Sequence, residues 1–465
     1  MAMIHMKQHV MERKLSPFEQ AIWRLSDAAT FNFSVVGQLQ GSLNDDALNE
    51  SLHLVQLRHP MLRVRVDTEG RDPWFSTESV PRLRARIIEH DQRDWCSHVE
   101  DELNDPLLWN PGPLMRCRCI RRDEASHEIV LTFHHLVGDG TSGILLMRDL
   151  MAAINHIASG KPESTWKRLT DTVPIDCRLP HRFRGLRGIL SQCQQVIRSV
   201  TEDIRFGSPT VLPEHPVAAS TRRRLIVIPH SFSEKFSTTL RKRAKLAAAS
   251  LHGAISAAII LSTVEEIAAR KAVSIKHRMP VNMRAQLVPP VGEESGMFAS
   301  MLVARVRCMG SDDFWQVAGE IAKQVSSSLQ TGQAATNVRM VPTLFQLIRG
   351  RRLTNDQLVS RWQKVLRSAT ALTNLGDVRI DWPAGPVQIT ELQFIASPGP
   401  LGDHTCAAMS HRGRLQCNFT FALPAFSGEV AQSMTASVTN RLKHAVAEVK
   451  EPGHLKTQEP AVRAA

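Results

Sequence analysis

From Leu15 onward the apolar positions of the chain fall into regular series. Ser16-Pro17-Phe18-Glu19 has the form of a capped helix start, with serine at the cap, proline at the first position and glutamate at the third. Asn44-Asp45-Asp46-Ala47 opens another helix, with Leu48, Leu52, Leu54, Val55 and Leu57 as its apolar face and an end near His59-Pro60. Met61 to Val66 then reads as a strand. Leu114 to Ile120 reads as a second strand, which puts Cys117 and Cys119 on one side. Glu128-Ile129-Val130-Leu131-Thr132-Phe133 is a β run that leads directly into His134 and His135. Past Gly140, Thr141-Ser142 is the expected cap of a helix with apolar positions at Ile144, Leu145, Met147, Leu150, Met151 and Ile154.

Around Ser199–Ser220 this pattern lapses, and Pro209, Pro213 and Pro216 fall in a loop-like stretch. The organisation expected is a flexible N-terminus over 1–14, an N-terminal half over 15–205, a linker over 206–220, a C-terminal half over 221–449 and a flexible tail over 450–465. The second half begins with strand Arg224–Pro229, helices Glu234–Leu246 and Leu251–Ala269, and strand Ala272–Arg278. That strand runs into Met279-Pro280-Val281-Asn282-Met283-Arg284. Such alternation predicts an α/β (α+β) fold of two halves with mixed sheets. The length of 465 residues suits two or three domains at ~150 residues each.

Composition narrows the classes. Tyrosine is absent, so Phe and Trp fill the aromatic core positions and no phenol is available for catalysis. No run approaches ~20 uninterrupted apolar residues, which predicts no stable membrane insertion. Met1 to Lys7 has no apolar run behind it, so a cytoplasmic location without a secretory leader is expected. The eight cysteines contain no Cys-x-x-Cys and read as buried free thiols. The net charge of +12 includes clusters at Arg182/Arg184/Arg187, Arg222/Arg223/Arg224 and Arg349/Arg351/Arg352. Excess positive charge raises encounter rates with anionic partners. No zinc finger or RNP-type motif accompanies the charge, so nucleic acid is not the expected partner. An acidic carrier protein or a coenzyme phosphate suits the same surface.

The chemistry centres on His134-His135-Leu136-Val137-Gly138-Asp139-Gly140. Acyl transfer to an alcohol or amine needs a group that takes the nucleophile's proton during attack. A neutral imidazole, with an ordinary pKa of about 6.5, suits that task. A strand end mounts it rigidly, the short loop lets Asp139 fold back beneath the strand, and Gly140 permits a sharp entry into the next helix. Adjacent histidines on a strand face opposite sides, so one of the two faces a given cavity. His-x-x-x-Asp also arises by chance. It supplies only two ligands, with no nearby Cys or His run, and no metal site is expected.

The full His-His-x-x-x-Asp-Gly pattern is similar to the signature of the condensation-domain superfamily, which shares the chloramphenicol acetyltransferase-like fold. Its members include nonribosomal peptide synthetase condensation domains and polyketide-associated acyltransferases such as the phthiocerol dimycocerosyl transferases. Three further segments resemble family motifs in the family's order. They are Leu57-Arg58-His59-Pro60-Met61-Leu62-Arg63, Met279 to Arg284 followed by Pro289-Pro290 and Gly296-Met297-Phe298, and Thr373-Asn374-Leu375-Gly376. The plant-type Asp-Phe-Gly-Trp-Gly segment is absent, and the histidine pair lies in the first third of the chain rather than late, as in chloramphenicol acetyltransferase.

The resemblance implies two similar halves in a V-shaped pseudo-dimer, with a central tunnel entered by donor and acceptor from opposite sides. It makes His135 the general base and His134 structural. Asp139 becomes an ion-pair partner pointing away from substrate, with Arg284 its expected counterpart, and Gly140 supports the turn. Asn282 and Asn374 are candidate channel residues, or else turn-forming asparagines. No bound cofactor is implied. The donor is a phosphopantetheine thioester on an acyl carrier protein or coenzyme A, recruited by a chain with no adenylation or carrier domain fused to it. Transfer to a hydroxyl, in natural-product or lipid biosynthesis, is the leading expectation. Amide formation on an amine, a non-catalytic carrier-docking protein and, weakest, a metal-dependent hydrolase are the alternatives.

Overall fold

The computed structural model describes residues 11–26, 29–68, 72–89, 91–160, 167–210, 223–268, 271–349 and 368–447. Residues 1–10 of the expected N-terminus, 211–220 of the expected linker and the tail 450–465 lie outside these. In the first part of the chain come β1 (Glu12–Lys14), α1 (Pro17–Leu25), β2 (Asn32–Gln40), α2 (Asp45–Arg58), β3 (Arg65–Asp67), β4 (Trp74–Ser76), β5 (Ala85–Glu89) and α3 (Trp95–Asn104). They are followed by β6 (Met115–Arg121), β7 (Ser126–His134), α4 (Gly140–Ala158) and α5 (Gly185–Phe206). The second part holds β8 (Arg224–Ser231), α6 (Glu234–Leu246), α7 (Leu251–Ala268), β9 (Val273–Asn282), β10 (Ala299–Cys308), α8 (Phe314–Thr331) and α9 (Gln333–Arg349). It ends with β11 (Thr370–Asp377), β12 (Gln388–Ala396), β13 (His404–His411), β14 (Arg414–Leu423) and α10 (Gly428–Ala447).

Local chemistry explains most of these boundaries. Ser16 and Glu19 close a capping box on α1, and Arg13 pairs with the Glu19 carboxylate at 2.7 Å. Asn44 caps α2, and Pro60 then bends the chain into a single 3-10 turn, Pro60–Arg63. The strand expected from Met61 is thereby shortened to β3, because proline and its fixed φ favour the turn. Pro280 sits inside β9, beyond the stretch paired to β11 at His277 and Arg278, where β10 is its partner strand.

Among the described residues the strands form two large mixed sheets and a small one. The five-stranded sheet has the order β12-β2-β7-β6-β5, the six-stranded sheet β10-β9-β11-β13-β14-β8, and the small sheet β1-β4-β3. Cys117 and Cys119 are buried on the same side of β6 in the core beneath α2 and α4. β12 pairs antiparallel with β2 along its length, from Gln388 opposite Gln40 to Ala396 opposite Phe33. The first sheet therefore takes a strand from each side of the expected linker.

α7 is long and apolar enough to cross a membrane by length and composition. Here it is mostly buried, packed on α8, α10, β9 and β11.

α3 bridges the two large sheets, which also meet directly where β12 lies against β13 and β14. The outer edge of β8 meets no further strand among the described residues, and side chains complete its hydrogen bonding instead. Asn104 donates to the Leu225 carbonyl at 2.9 Å and accepts the Leu225 amide at 2.7 Å, while Glu100 accepts the Val227 amide at 2.8 Å. Buried backbone groups need such partners. Asn104→Ala removes both bonds to β8, together with the side chain's bond to the Glu100 carbonyl at 2.8 Å, and is expected to cost about 1–3 kcal/mol of stability. A denaturant titration followed by tryptophan fluorescence measures this, and an unchanged midpoint contradicts the joint as described.

Candidate active site

β2 and β7 run antiparallel and end together, with Phe33 opposite Phe133 and Asn32 opposite His134. His134 is the last residue of β7 and is buried. Its Nδ1 accepts the Leu136 amide at 3.0 Å, so the ring proton is on Nε2, which lies 2.9 Å from the Ser26 hydroxyl. Trp109 closes over the ring edge-on at 4.7 Å. Burial, helped by the neighbouring His135, pushes its pKa down to about 3.

His135 occupies the turn beyond the strand and retains partial exposure. Phe31 and Phe33 hold its ring, at centroid distances of 4.6 and 4.8 Å. Nδ1 faces inward without a partner at hydrogen-bonding geometry. Nε2 is not among the sealed-off atoms and makes no hydrogen bond with a described residue. Burial pushes the ring's pKa down to about 4, partly offset by the Asp139 charge and the Gly138 backbone. The imidazole is therefore neutral at physiological pH.

Asp139 is the N-cap of α4, accepting the Ser142 amide at 2.8 Å. The cap lies two residues before the expected Thr141-Ser142, because the carboxylate folds back over the first turn. Ser142 is instead a buried bridge between Asp139, Arg284 and Gly296. Arg284 Nη1 meets both Asp139 oxygens at 2.9 and 2.8 Å, and its Nη2 donates to the Ser142 hydroxyl at 2.8 Å. The Phe298 amide donates to Asp139 Oδ2 at 3.0 Å. Both carboxylate oxygens are thus occupied by groups other than His135.

Gly140 is required by close approach. A Cβ there would lie 2.8 Å from Leu375 and 2.9 Å from Phe394. Leu375, in the Thr373-to-Gly376 segment, is thus what reaches the loop. Asn374 accepts the Gly376 amide at 2.8 Å and closes a local turn. Asn282 is exposed beside the loop, donating to the Thr141 hydroxyl at 3.2 Å and accepting the Arg284 amide at 3.0 Å.

A second network supports α4 from behind. Asp149 accepts Arg58 at 2.8 Å and the buried His59 ring at 2.9 Å, and pairs with Arg148 at 2.7 Å. Arg58 and Arg148 both continue to Glu293, at 2.6 Å each. Burial alone would raise the Asp149 pKa, but His59 and Arg148 outweigh it and bring it down to about 2. Sequence reasoning singled out the segment holding Arg58 and His59 and read Ser142 only as a helix cap; it missed Asp149, Glu293, Phe31 and Phe33. The helical spacing of Asp149 from Ser142 on α4 was the available signal.

The basic clusters separate. Arg223 is turned inward onto the Gly399 and Gly402 carbonyls, which removes it from the surface expected to meet a carrier. Arg222, Arg351 and Arg352 lie outside the described residues. A cavity of about 380 Å³ lies between α5 and α8, lined by Arg198, Glu202, Phe206 and Glu320 among others, and shares no residue with the surroundings of His135.

Comparison with known proteins gives a consistent picture. Residues 14–168 match the Condensation domain family, and residues 223–431 match the family described as phthiocerol/phthiodiolone dimycocerosyl transferase C-terminus. One of the linear gramicidin synthase polypeptides of Brevibacillus parabrevis is 31% identical over 159 residues, 32% of this chain and 3% of that protein. The CymA nonribosomal peptide synthetase of Salinispora arenicola is 24% identical over 404 residues, 81% of this chain and 5% of that protein. The chain thus spans a small part of the curated relatives it matches.

Polyketide synthase associated protein 5 from Mycobacterium tuberculosis has a similar structure, with TM-score 0.62, 18% identity, and 94% of this chain and 98% of that one covered. Trichothecene 15-O-acetyltransferase from Fusarium sporotrichioides gives TM-score 0.71 at 13% identity, with 94% and 96% covered. These likenesses establish the fold.

Removing one member of the buried pair leaves the other charge without its counterpart. Asp139→Asn and Arg284→Met are each expected to cost about 3–5 kcal/mol, and the double variant clearly less than their sum. Urea unfolding of the four proteins closes that cycle, and strict additivity would exclude a direct pairing.

Acid provides a second check. His134, His135 and His404, whose burial brings its pKa to about 4, stay neutral when folded and gain protons below pH 6.5 when unfolded. The unfolded state then binds more protons, so stability falls as pH drops below about 6.5. These histidines contribute no slope above it. Melting temperatures measured from about pH 8 down to 4.5 test this.

Proposed function

Since the chain belongs to the condensation-domain acyltransferase family, we propose that it moves an acyl group from a phosphopantetheinyl thioester to a hydroxyl, with His135 as general base. The observation that carries the reading is the state of that ring: neutral, held between two phenylalanines at a strand end, with one nitrogen turned inward and the other not sealed off. A neutral ring with its proton on the inward-facing Nδ1 leaves the Nε2 lone pair for the acceptor.

As the acceptor oxygen attacks the thioester carbonyl, its proton passes to Nε2. Collapse of the tetrahedral intermediate breaks the carbon–sulfur bond, and the proton leaves with the departing thiolate as a thiol. The products are an ester and the thiol. Asp139 is a positioning residue, since Arg284, Ser142 and Phe298 occupy its carboxylate. It fixes the loop on which His135 stands. Gly140 allows that loop to lie against Leu375 and Phe394. Asn282, exposed beside Thr141, is suited to a channel wall, while Asn374 serves its own turn. The organisation proposed remains two halves, 15–205 and 221–449, with donor and acceptor meeting between them.

The thioester donor, on coenzyme A or a carrier protein, belongs to this proposal. So does a setting in natural-product or lipid biosynthesis. The names of the relatives support both. The starter condensation domain of rhizomide synthetase was solved as a variant with C8-CoA and Leu-SNAC, which also keeps an amine acceptor in view.

His135→Ala is expected to lower turnover with an acyl-coenzyme A donor by about 10²–10⁴-fold while leaving the melting temperature near that of the wild type. Unchanged turnover would leave a docking role in place of catalysis. Matched alcohol and amine acceptors, assayed with one donor by mass spectrometry, separate ester from amide formation. With the His135 pKa brought to about 4, kcat/KM should stay level from about pH 8 down to 5.5. An acid limb centred near 6.5 would assign the proton transfer to a solvated group instead.

A further inference from the structure

α5 is turned inside out. Over its 22 residues, Leu186, Ile189, Leu190, Val196, Ile197, Val200 and Ile204 form a continuous apolar stripe at helical spacing. That stripe faces solvent: Leu186 and Ile204 are 80% exposed, and Leu190 and Ile197 63%. The polar side packs on the protein. Ser191 meets the Thr336 hydroxyl at 2.6 Å, Gly188 lies against the Phe183 carbonyl, and Asp203 pairs with Arg305 at 2.5 Å. A helix stabilised only by its contacts within this fold would present the opposite face. Exposed apolar surface on this scale marks a binding surface.

The charges around the stripe identify what it meets. Arg187, Arg198 and Arg205 recur about three and then two turns apart along one flank, and Arg182 precedes the helix. Arg182, Arg187 and Arg205 are exposed and make no ion pair with a described residue. The acidic groups of the helix are already engaged, Glu202 with Arg198 at 2.9 Å and Asp203 with Arg305. Arg182 and Arg205 lie over the Phe183 and Phe206 rings, at 4.8 and 5.0 Å. The surface thus offers apolar side chains and positive charge paired with no described acid, and no unengaged acid for a second copy's arginines. A high-moment helix of low net hydrophobicity with arginines beside its apolar face is the pattern of a segment lying in a membrane interface.

We propose that α5 docks the protein peripherally on an anionic lipid surface, with the Leu186-to-Ile204 stripe entering the headgroup–acyl boundary and Arg182, Arg187 and Arg205 meeting lipid phosphates. This goes beyond the acyl-transfer reading, and its test does not depend on turnover.

The full chain is sedimented with sucrose-loaded vesicles of phosphatidylcholine alone or with about 30% phosphatidylglycerol. Binding to the anionic vesicles and weak binding to the neutral ones is expected. Leu190→Ser/Ile197→Ser/Ile204→Ser keeps every charge and should weaken anionic-vesicle binding about tenfold or more. Arg182→Gln/Arg187→Gln/Arg205→Gln should weaken it on the order of 100-fold. These side chains are exposed, so both variants should keep the wild-type melting temperature, which is checked alongside. No anionic-vesicle binding by the wild type overturns the proposal. Undiminished binding by the serine variant also overturns it, because net charge would then suffice. A dimer in light scattering that the serine variant dissociates, without vesicle binding, assigns the stripe to a second copy instead.

Discussion

A single buried carboxylate organises the candidate active site. Asp139 ends one loop, begins α4 and accepts hydrogen bonds from Ser142, Arg284 and Phe298, so three separated stretches of chain converge on two oxygens. A charge buried this deeply requires counter-charge and donors on every side. Satisfying it fixes the start of α4 relative to β9 and β10. That in turn sets the turn carrying His135 against Phe31 and Phe33. The Asp149 network repeats the device farther along the same helix, tying it to Arg58, His59 and Glu293. α4 is therefore held at two points by groups from both parts of the chain.

The electrostatics around the histidine pair follow from this arrangement. With Asp139 committed to Arg284, its charge offsets only part of the effect of burial on His135, and the ring stays neutral. His134 is neutral too, but both of its nitrogens are occupied by Leu136 and Ser26. Two adjacent imidazoles thus have different capacities. One is fully engaged in structure, and the other retains a nitrogen open to chemistry.

Much of the local structure was legible in the sequence. The α1 capping box, the α6 boundaries and the β7 run into the histidine pair follow from residue types at short range. The His-His-x-x-x-Asp-Gly spacing located the loop, and the family resemblance pointed to Arg284, which lies 2.8 Å from Asp139. Long-range choices were harder to read. Whether Asp139, Thr141 or Ser142 caps α4 depends on Arg284 and Phe298, far along the chain. Arg223 looked like surface charge because its acceptors, the Gly399 and Gly402 carbonyls, belong to a distant loop. The apolar stripe of α5 is visible as a pattern, but periodicity alone reads it as a face turned toward the core. Only the packing shows that it faces outward.

The pairing of β12 with β2 bears on how the chain is made. β2 is translated long before its neighbour on that side, since Gln40 waits for Gln388. During this interval its row of amides and carbonyls from Asn32 to Gln40 has β7 on one flank and no native strand on the other. An open edge of this kind invites pairing with other nascent chains. The fold thus leaves one sheet edge without its native cover until the chain has been made as far as Gln388.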